Sequence, residues 1–184
     1  GLAEQYPGLF SKITGKINDS VTAVSLQAVL SAGGFPAKET MAVMAAVLDK
    51  NSQNKWFRKA VLYSNAGSSL EFFTWLNQKN NFFQPGDEGK LSFIKEYAAT
   101  IAARNKDNEI AGLLNLLAGL KQSDKENWIK AAMTGIDQVI ANVENKPANK
   151  DAVDAVQQIE NTCTSKDVKL LASSLKKSFS GTNE

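Results

Sequence analysis

The sequence predicts an all-α fold in which about five antiparallel helix pairs stack into a right-handed superhelix, an α-solenoid. Apolar residues recur at three- and four-residue steps, and no stretch keeps the alternation of a β-strand beyond a few residues. One helical segment also occurs twice in similar form, at residues 54–66 and at residues 126–136. Repeated helical units that cannot bury an apolar face alone must stack on one another, which predicts the solenoid.

The two copies of this segment share a tryptophan, a basic residue two positions later and an apolar pair. The aligned positions are Trp56 with Trp128, Phe57 with Ile129, Arg58 with Lys130, Ala60 with Ala132, and Val61 with Met133, and a weaker third copy lies at Val24 to Leu30. The shared position predicts that each tryptophan packs between neighbouring helices. Arg58 and Lys130 are expected to pair with a nearby acid or with backbone carbonyls, and the alternative is that they bind a carboxylate or phosphate ligand.

The first four helices follow from helical spacing and from residues that begin or end a helix. They are predicted at Tyr6 to Lys16, Val21 to Ala32, from Pro36 to about Asp49, and over the repeated segment that ends at Ala66. Pro7 suits a first turn, and Gly33 suits the end of the second helix.

A capping box of Ser68 and Glu71 predicts the start of the fifth helix, at Ser69 to Asn77. The residues 77–89 that follow contain Asn, Pro and Gly, and predict an irregular connection. A sixth helix is expected at Lys90 to Arg104.

Four more helices complete the predicted pairs. One begins at Asp107, the next follows a capping box of Ser123 and Glu126 and runs to Val143, and the last two lie at residues 152–163 and 167–179. Length favours one domain, residues 1–184, with a disordered tail at residues 180–184. The polar string at residues 142–151 is the best internal boundary.

Composition excludes several kinds of chemistry. The sequence has no histidine, which removes the usual general base near neutral pH and the commonest ligand of transition metals. The single Cys163 lies in a helical pattern, which favours a half-buried structural thiol over a reactive one. The 21 basic and 19 acidic residues are too balanced to predict binding to a polyanion. We expect no catalytic residue, no metal and no cofactor in this chain.

Membrane and export signals are also missing from the sequence. No apolar run has the length that a membrane span needs. The first ten residues lack the basic and apolar regions of a signal peptide. A chain that begins with Gly is expected to be a segment excised from a larger protein.

The second predicted helix resembles the second helix of a HEAT repeat. Asp19, Val24, Ala28 and Leu30 follow that pattern, whereas Ser25 stands where the pattern has an arginine. The first copy therefore lacks the polar contact that this arginine usually makes.

Three segments in order resemble one particular HEAT-like region. They are the first-repeat segment with Gln27 and Gly33, residues 54–76, and residues 101–136. In large exported proteins labelled membrane-bound dehydrogenases, that region lies between a PQQ-type, sugar-dehydrogenase-like β-propeller and a c-type cytochrome domain. The resemblance implies a periplasmic or exported location. It also implies that redox chemistry belongs to the flanking domains, because this chain lacks the Cys-x-x-Cys-His motif for haem.

Aromatic residues are densest between residues 72 and 83. They predict either a local mini-core or a patch for a partner domain, with Trp75, Phe82 and Phe83 as the docking candidates. Trp56 and Trp128 have an alternative role as stacking platforms for a sugar or a nucleobase.

These observations favour a non-catalytic scaffold that spaces or docks neighbouring domains of an exported dehydrogenase or cytochrome protein. The alternative is a solenoid that binds a peptide or a carbohydrate. A HEAT-like DNA glycosylase is less consistent with the sequence, since it would need a strongly positive channel. The expected partners are flanking domains of the same polypeptide or another protein, with no nucleic acid and no membrane span.

Overall fold

The structure of the protein is a computed structural model, and it describes residues 8–79, 82–83, 87–104, 107–120, 125–143 and 148–181. The described residues form ten α-helices and no β-strand, which confirms the all-α class. The helices are α1 (Leu9–Thr14), α2 (Thr22–Ala32), α3 (Ala37–Asn51), α4 (Lys55–Leu62), α5 (Leu70–Gln78), α6 (Glu88–Arg104), α7 (Asp107–Ala118), α8 (Glu126–Ile140), α9 (Lys150–Thr162) and α10 (Lys166–Phe179).

Most helix bounds agree with the predicted ones to within a few residues. Helix α6 begins at Glu88 rather than Lys90, and α8 ends at Ile140 rather than Val143. Tyr6 and Pro7 lie outside the described residues. Of the predicted disordered tail, Ser180 and Gly181 form a turn after α10, and residues 182–184 lie outside the described ranges.

The repeated segment forms a shorter helix than predicted, because α4 ends at Leu62 and not at Ala66. Ser64 Oγ donates to the carbonyl of Val61 at 2.6 Å and accepts from the N–H of Gly67 at 2.8 Å. Such bonds between a side chain and the local backbone compete with a further helical turn.

Two of the predicted caps differ in the structure. Ser69, not Ser68, caps α5, since its Oγ accepts from the N–H of Phe72 at 3.1 Å. Glu126 accepts from the backbone N–H groups of Thr164 at 2.5 Å and Ser165 at 3.2 Å, immediately before α10. A carboxylate is favourable there, because the first N–H groups of a helix are free. Ser123 lies outside the described residues.

The chain divides into two compact units. The first comprises Gly1–Phe82 and Glu88–Lys90, and the second comprises Phe83–Asp87 and Leu91–Glu184. The predicted boundary at residues 142–151 lies inside the second unit.

In the first unit, contacts join consecutive helices and also helices two apart. Helix α2 contacts α1, α3 and α4, and α3 contacts α4 and α5. Fully buried side chains fill the space between them, among them Val29, Met44, Leu48, Val61 and Phe72.

The second unit follows the same rule. Helix α9 contacts α7 and α10, and α10 contacts α8. The core contains Phe93, Leu113, Trp128, Met133 and Val156.

Helix α8 also crosses α6 at very short distance, and Gly135 permits this crossing. A Cβ atom at Gly135 would lie 2.1 Å from the carbonyl oxygen of Lys95 and 3.1 Å from the backbone nitrogen of Ala99. Because both neighbours are backbone atoms, the helices would have to separate to accept any side chain.

We expect that Gly135→Ala lowers the free energy of unfolding by at least about 2 kcal/mol, since overpacking displaces two helices. Urea unfolding followed by circular dichroism measures this loss. Gly119→Ala is the matched control, because a Cβ there would meet its closest atom, the carbonyl oxygen of Leu116, at 3.4 Å. Equal losses in the two variants would contradict the close crossing.

Candidate functional site

The two tryptophans of the repeat occupy different environments. Trp128 is 1% exposed, and the ring of Phe83 meets it edge-on at a centroid distance of 5.2 Å. Trp56 is 56% exposed. The apolar residues aligned after them, Phe57 with Ile129 and the two pairs that follow, are buried in both copies. The repeat therefore preserves the buried face of the helix, whereas Trp56 does not show the packing that the alignment predicts.

The two aligned basic residues make contacts of the predicted structural kind. Arg58 Nη1 donates to the carbonyl of Ser52 at 2.8 Å and to that of Gln53 at 3.3 Å. Lys130 Nζ lies 2.6 Å from Asp167 Oδ2. Arg58 thus holds the turn that precedes α4, and Lys130 connects α8 with the start of α10.

The three predicted docking residues do not form one exposed patch. Phe82 and Phe83 are 3% and 8% exposed, so both belong to the core, as the mini-core alternative predicts. Trp75 is half-buried, and its ring stacks on Phe72 at a centroid distance of 6.4 Å. Lys79 Nζ lies 4.9 Å from the Trp75 centroid. Of the three, only Trp75 keeps a partly accessible ring.

An open apolar groove lies between α1 and α2, where sequence reasoning placed no site. The groove has a volume of about 480 Å³. Its lining consists of Lys12, Ile13, Lys16, Ala23, Val24, Gln27, Ala28 and Ser31, and we call it the α1–α2 groove. Helix α1 has no buried residue, and Val24 of α2 is 41% exposed. Helix α2 has no charged residue over its eleven positions, which was the available sequence signal.

A second accessible feature is the outer face of α4. Trp56 and Tyr63 lie seven residues apart, about two helical turns, so they project from the same side. Tyr63 is 80% exposed. Lys55 Nζ and Lys59 Nζ lie 5.2 and 5.6 Å from the centroid of Trp56. The indole ring is therefore partly screened by two cations.

Cys163 is the single thiol of the chain, and its environment is that of a structural residue. It lies at the end of α9 and is buried. Burial raises the pKa of the thiol, and the charge of Glu126 raises it further, so the nucleophilic thiolate is disfavoured.

Two features are absent from the part of the chain that the structure describes. None of these helices is both long enough and apolar enough to cross a membrane. No three Cys, Asp or Glu side chains among the same residues lie close enough together to hold a metal ion.

The comparisons with known proteins returned no match. The chain matched no protein-family model, no curated protein and no solved structure. The HEAT-like resemblance and the role that it implies therefore stay predictions.

The unlike burial of the two tryptophans predicts unlike effects of their removal. We expect that Trp128→Ala lowers the free energy of unfolding by about 3–5 kcal/mol, because it leaves a cavity in the core. Trp56→Ala should change it by less than about 1 kcal/mol, because most of that ring is already in solvent. Urea unfolding measures both values. Similar losses would show that Trp56 is packed as the repeat predicts.

The ion pair between α8 and α10 predicts a dependence on pH. The hydrogen bond and the charge of Lys130 hold the pKa of Asp167 below its usual value of 3.8. Its contribution to stability is therefore present above the unfolded pKa and lost as pH falls through the lower, folded pKa.

We expect that Asp167→Asn destabilises the protein at pH about 6 and that this effect shrinks as the pH is lowered from 3.8 through the lower, folded pKa of the wild-type carboxylate. Urea midpoints across this pH range measure the difference. Asp154→Asn is the control, since no ion pair of this α9 carboxylate is found among the described residues. The same pH response in both variants would contradict the assignment.

Proposed function

We propose that the chain is a non-catalytic interaction module, a right-handed solenoid of helix pairs that spaces or docks neighbouring domains of an exported, dehydrogenase- or cytochrome-type protein. The helix contacts support the solenoid, because in each unit they join helices two apart as well as consecutive ones. Stacked helix pairs require contacts of both kinds. The location and the nature of the neighbours rest on the resemblance alone.

The uneven distribution of exposed apolar side chains carries the docking part of the proposal. Six large hydrophobic residues of the described chain are strongly exposed: Val21, Val24, Leu30, Trp56, Tyr63 and Leu170. The first five belong to the first unit, on or beside α2 and α4. Exposed apolar residues concentrated in this way are typical of surfaces that bind another protein.

The chemistry of the residues supports a non-catalytic role. The sequence has no histidine to serve as a base near neutral pH. The one thiol is buried, and its pKa is raised. The basic residues of the repeat, Arg58 and Lys130, are engaged with carbonyls and with Asp167.

Carbohydrate binding remains the second candidate, and the exposed Trp56 ring favours it. An indole ring can stack on the apolar face of a sugar. The two lysines near the ring compete for its faces, which weakens this alternative against docking. Quenching or enhancement of Trp56 fluorescence by neutral oligosaccharides, lost in Trp56→Ala, would favour it.

We expect the chain to associate with the domains that its own gene encodes on either side, and expect Leu30→Ser together with Tyr63→Ser to weaken that association at least tenfold. The separately produced flanking domains and isothermal titration calorimetry provide the measurement. Leu170→Ser is the matched control, because Leu170 is 71% exposed but lies in the second unit.

Two results would contradict this proposal. One is the absence of association with either flanking domain, or an equal loss in the control. The other is catalytic turnover by the isolated chain that a single acidic-residue substitution abolishes.

A further inference from the structure

We propose that the α1–α2 groove binds an amphipathic helix of a protein partner, whose apolar stripe enters the groove and whose flanking carboxylates lie beside Lys12 and Lys16. The inference rests on the proposed docking function and deepens it, because it names the surface and the chemistry of the ligand.

The shape of the groove suits one face of a helix. The lining residues of α2 run from Ala23 to Ser31, eight positions or about 12 Å, which is slightly more than two helical turns. A partner helix therefore presents side chains at i, i+3 or i+4, and i+7 along this length. Ile13, Ala23, Val24 and Ala28 provide the apolar surface that receives them.

The packing of the two groove helices is incomplete in a way that an additional helix would complete. All three apolar residues of α1, Leu9, Phe10 and Ile13, are only half-buried. Val24 remains 41% exposed although it lies inside the groove. Removing such apolar surfaces from water is favourable.

The terminal helix of the second unit provides a contrast. The outer face of α10 carries exposed polar residues, Lys166, Asp167, Lys169, Ser173 and Lys177, with Leu170 as the exception. Terminal elements of repeat proteins need such a polar outer face. Helix α2 differs in that Val24 and Leu30 on it, and Val21 beside it, are exposed apolar residues.

The charge of the groove lining indicates which kind of partner helix is expected to bind. The two charged side chains that line the groove are both lysines, Lys12 and Lys16, and α2 contributes none. Asp19 is the nearest acid in the sequence, and it binds Lys16 Nζ at 3.3 Å and the N–H of Val21 at 3.0 Å, so Lys12 provides the positive charge that this ion pair does not compensate. A partner with carboxylates beside its apolar stripe is therefore favoured over a basic one.

The test uses two synthetic peptides of about 18 residues, designed as helices. Both carry leucine at i, i+3, i+4 and i+7. One has glutamate beside this stripe and the other has lysine at the same positions. We expect the glutamate peptide to bind the full chain at least tenfold more tightly, and its affinity to fall as salt is added. Fluorescence anisotropy measures the affinity, and amide chemical shifts locate the peptide on α1 and α2.

Substitutions test the groove residue by residue. Val24→Asp should weaken binding of the glutamate peptide at least tenfold, whereas Leu170→Asp, on the second unit, should leave it unchanged. Lys12→Glu together with Lys16→Glu should reverse the preference in favour of the lysine peptide. Urea unfolding shows whether each variant remains folded. If a variant does not, the comparison of the two peptides on the wild-type chain still tests the proposal.

Several outcomes would overturn the inference. They are no binding of the glutamate peptide, equal binding of both peptides, or shifts that lie outside α1 and α2. Self-association that Val24→Asp abolishes would assign the groove to a second copy of the chain. Nuclear Overhauser contacts from residues 1–7 to Val24 would assign it to the chain itself.

The two proposals can fail separately. If the peptides fail while the flanking domains still bind through Leu30 and Tyr63, only the groove assignment fails. If the peptide binds and the flanking domains do not, the groove stands and the proposed neighbours are wrong.

Discussion

The structure depends on helices that bury their apolar stripes against helices one and two places away in the chain. The helices have between 6 and 17 residues, and isolated helices shorter than about 12–15 residues are marginal in water. Tertiary contact must therefore supply most of their stability. Where α6 and α8 cross, at the carbonyl of Lys95 and Gly135, even a methyl group cannot be accommodated.

Polar side chains hold the ends of these helices at defined positions. Asn65 Nδ2 donates to the carbonyls of Gly34 and Phe35, which ties the end of α4 to the turn after α2. In the second unit, the Glu126 carboxylate at the start of α8 accepts from the backbone N–H groups of the segment before α10. Such bonds satisfy backbone groups that helix ends leave free, and they restrict how neighbouring helices pack.

Apolar burial is more extensive in the second unit's terminal helix, where Leu170 is the exposed exception, than in the first unit's opening pair. Val168, Ala172, Leu175 and Phe179 of α10 are all buried, whereas α1 has no buried residue. The same physical requirement that builds the fold thus leaves apolar surface in the first unit. The proposed docking function rests on this surface, and the lysines at the groove edge are the reason for proposing an acidic partner.

The sequence by itself determined the all-α class and, over the described residues, the number of helices and most of their bounds. These features depend on spacing and on local signals such as Pro36 and Gly33, which act within a few residues. It also indicated structural roles for Arg58 and Lys130, because aligned basic residues beside a buried face have few other uses.

Only the tertiary structure decided which aromatic rings are covered. Trp56 and Trp128 follow the same local pattern, yet only Trp128 is buried. Its ring is covered by Phe83, which comes from a distant part of the chain, whereas Trp56 lies in solvent. The α1–α2 groove was missed for the same reason. Hydrophobic spacing shows that a helix has an apolar face, but the space beside that face depends on which neighbours reach it.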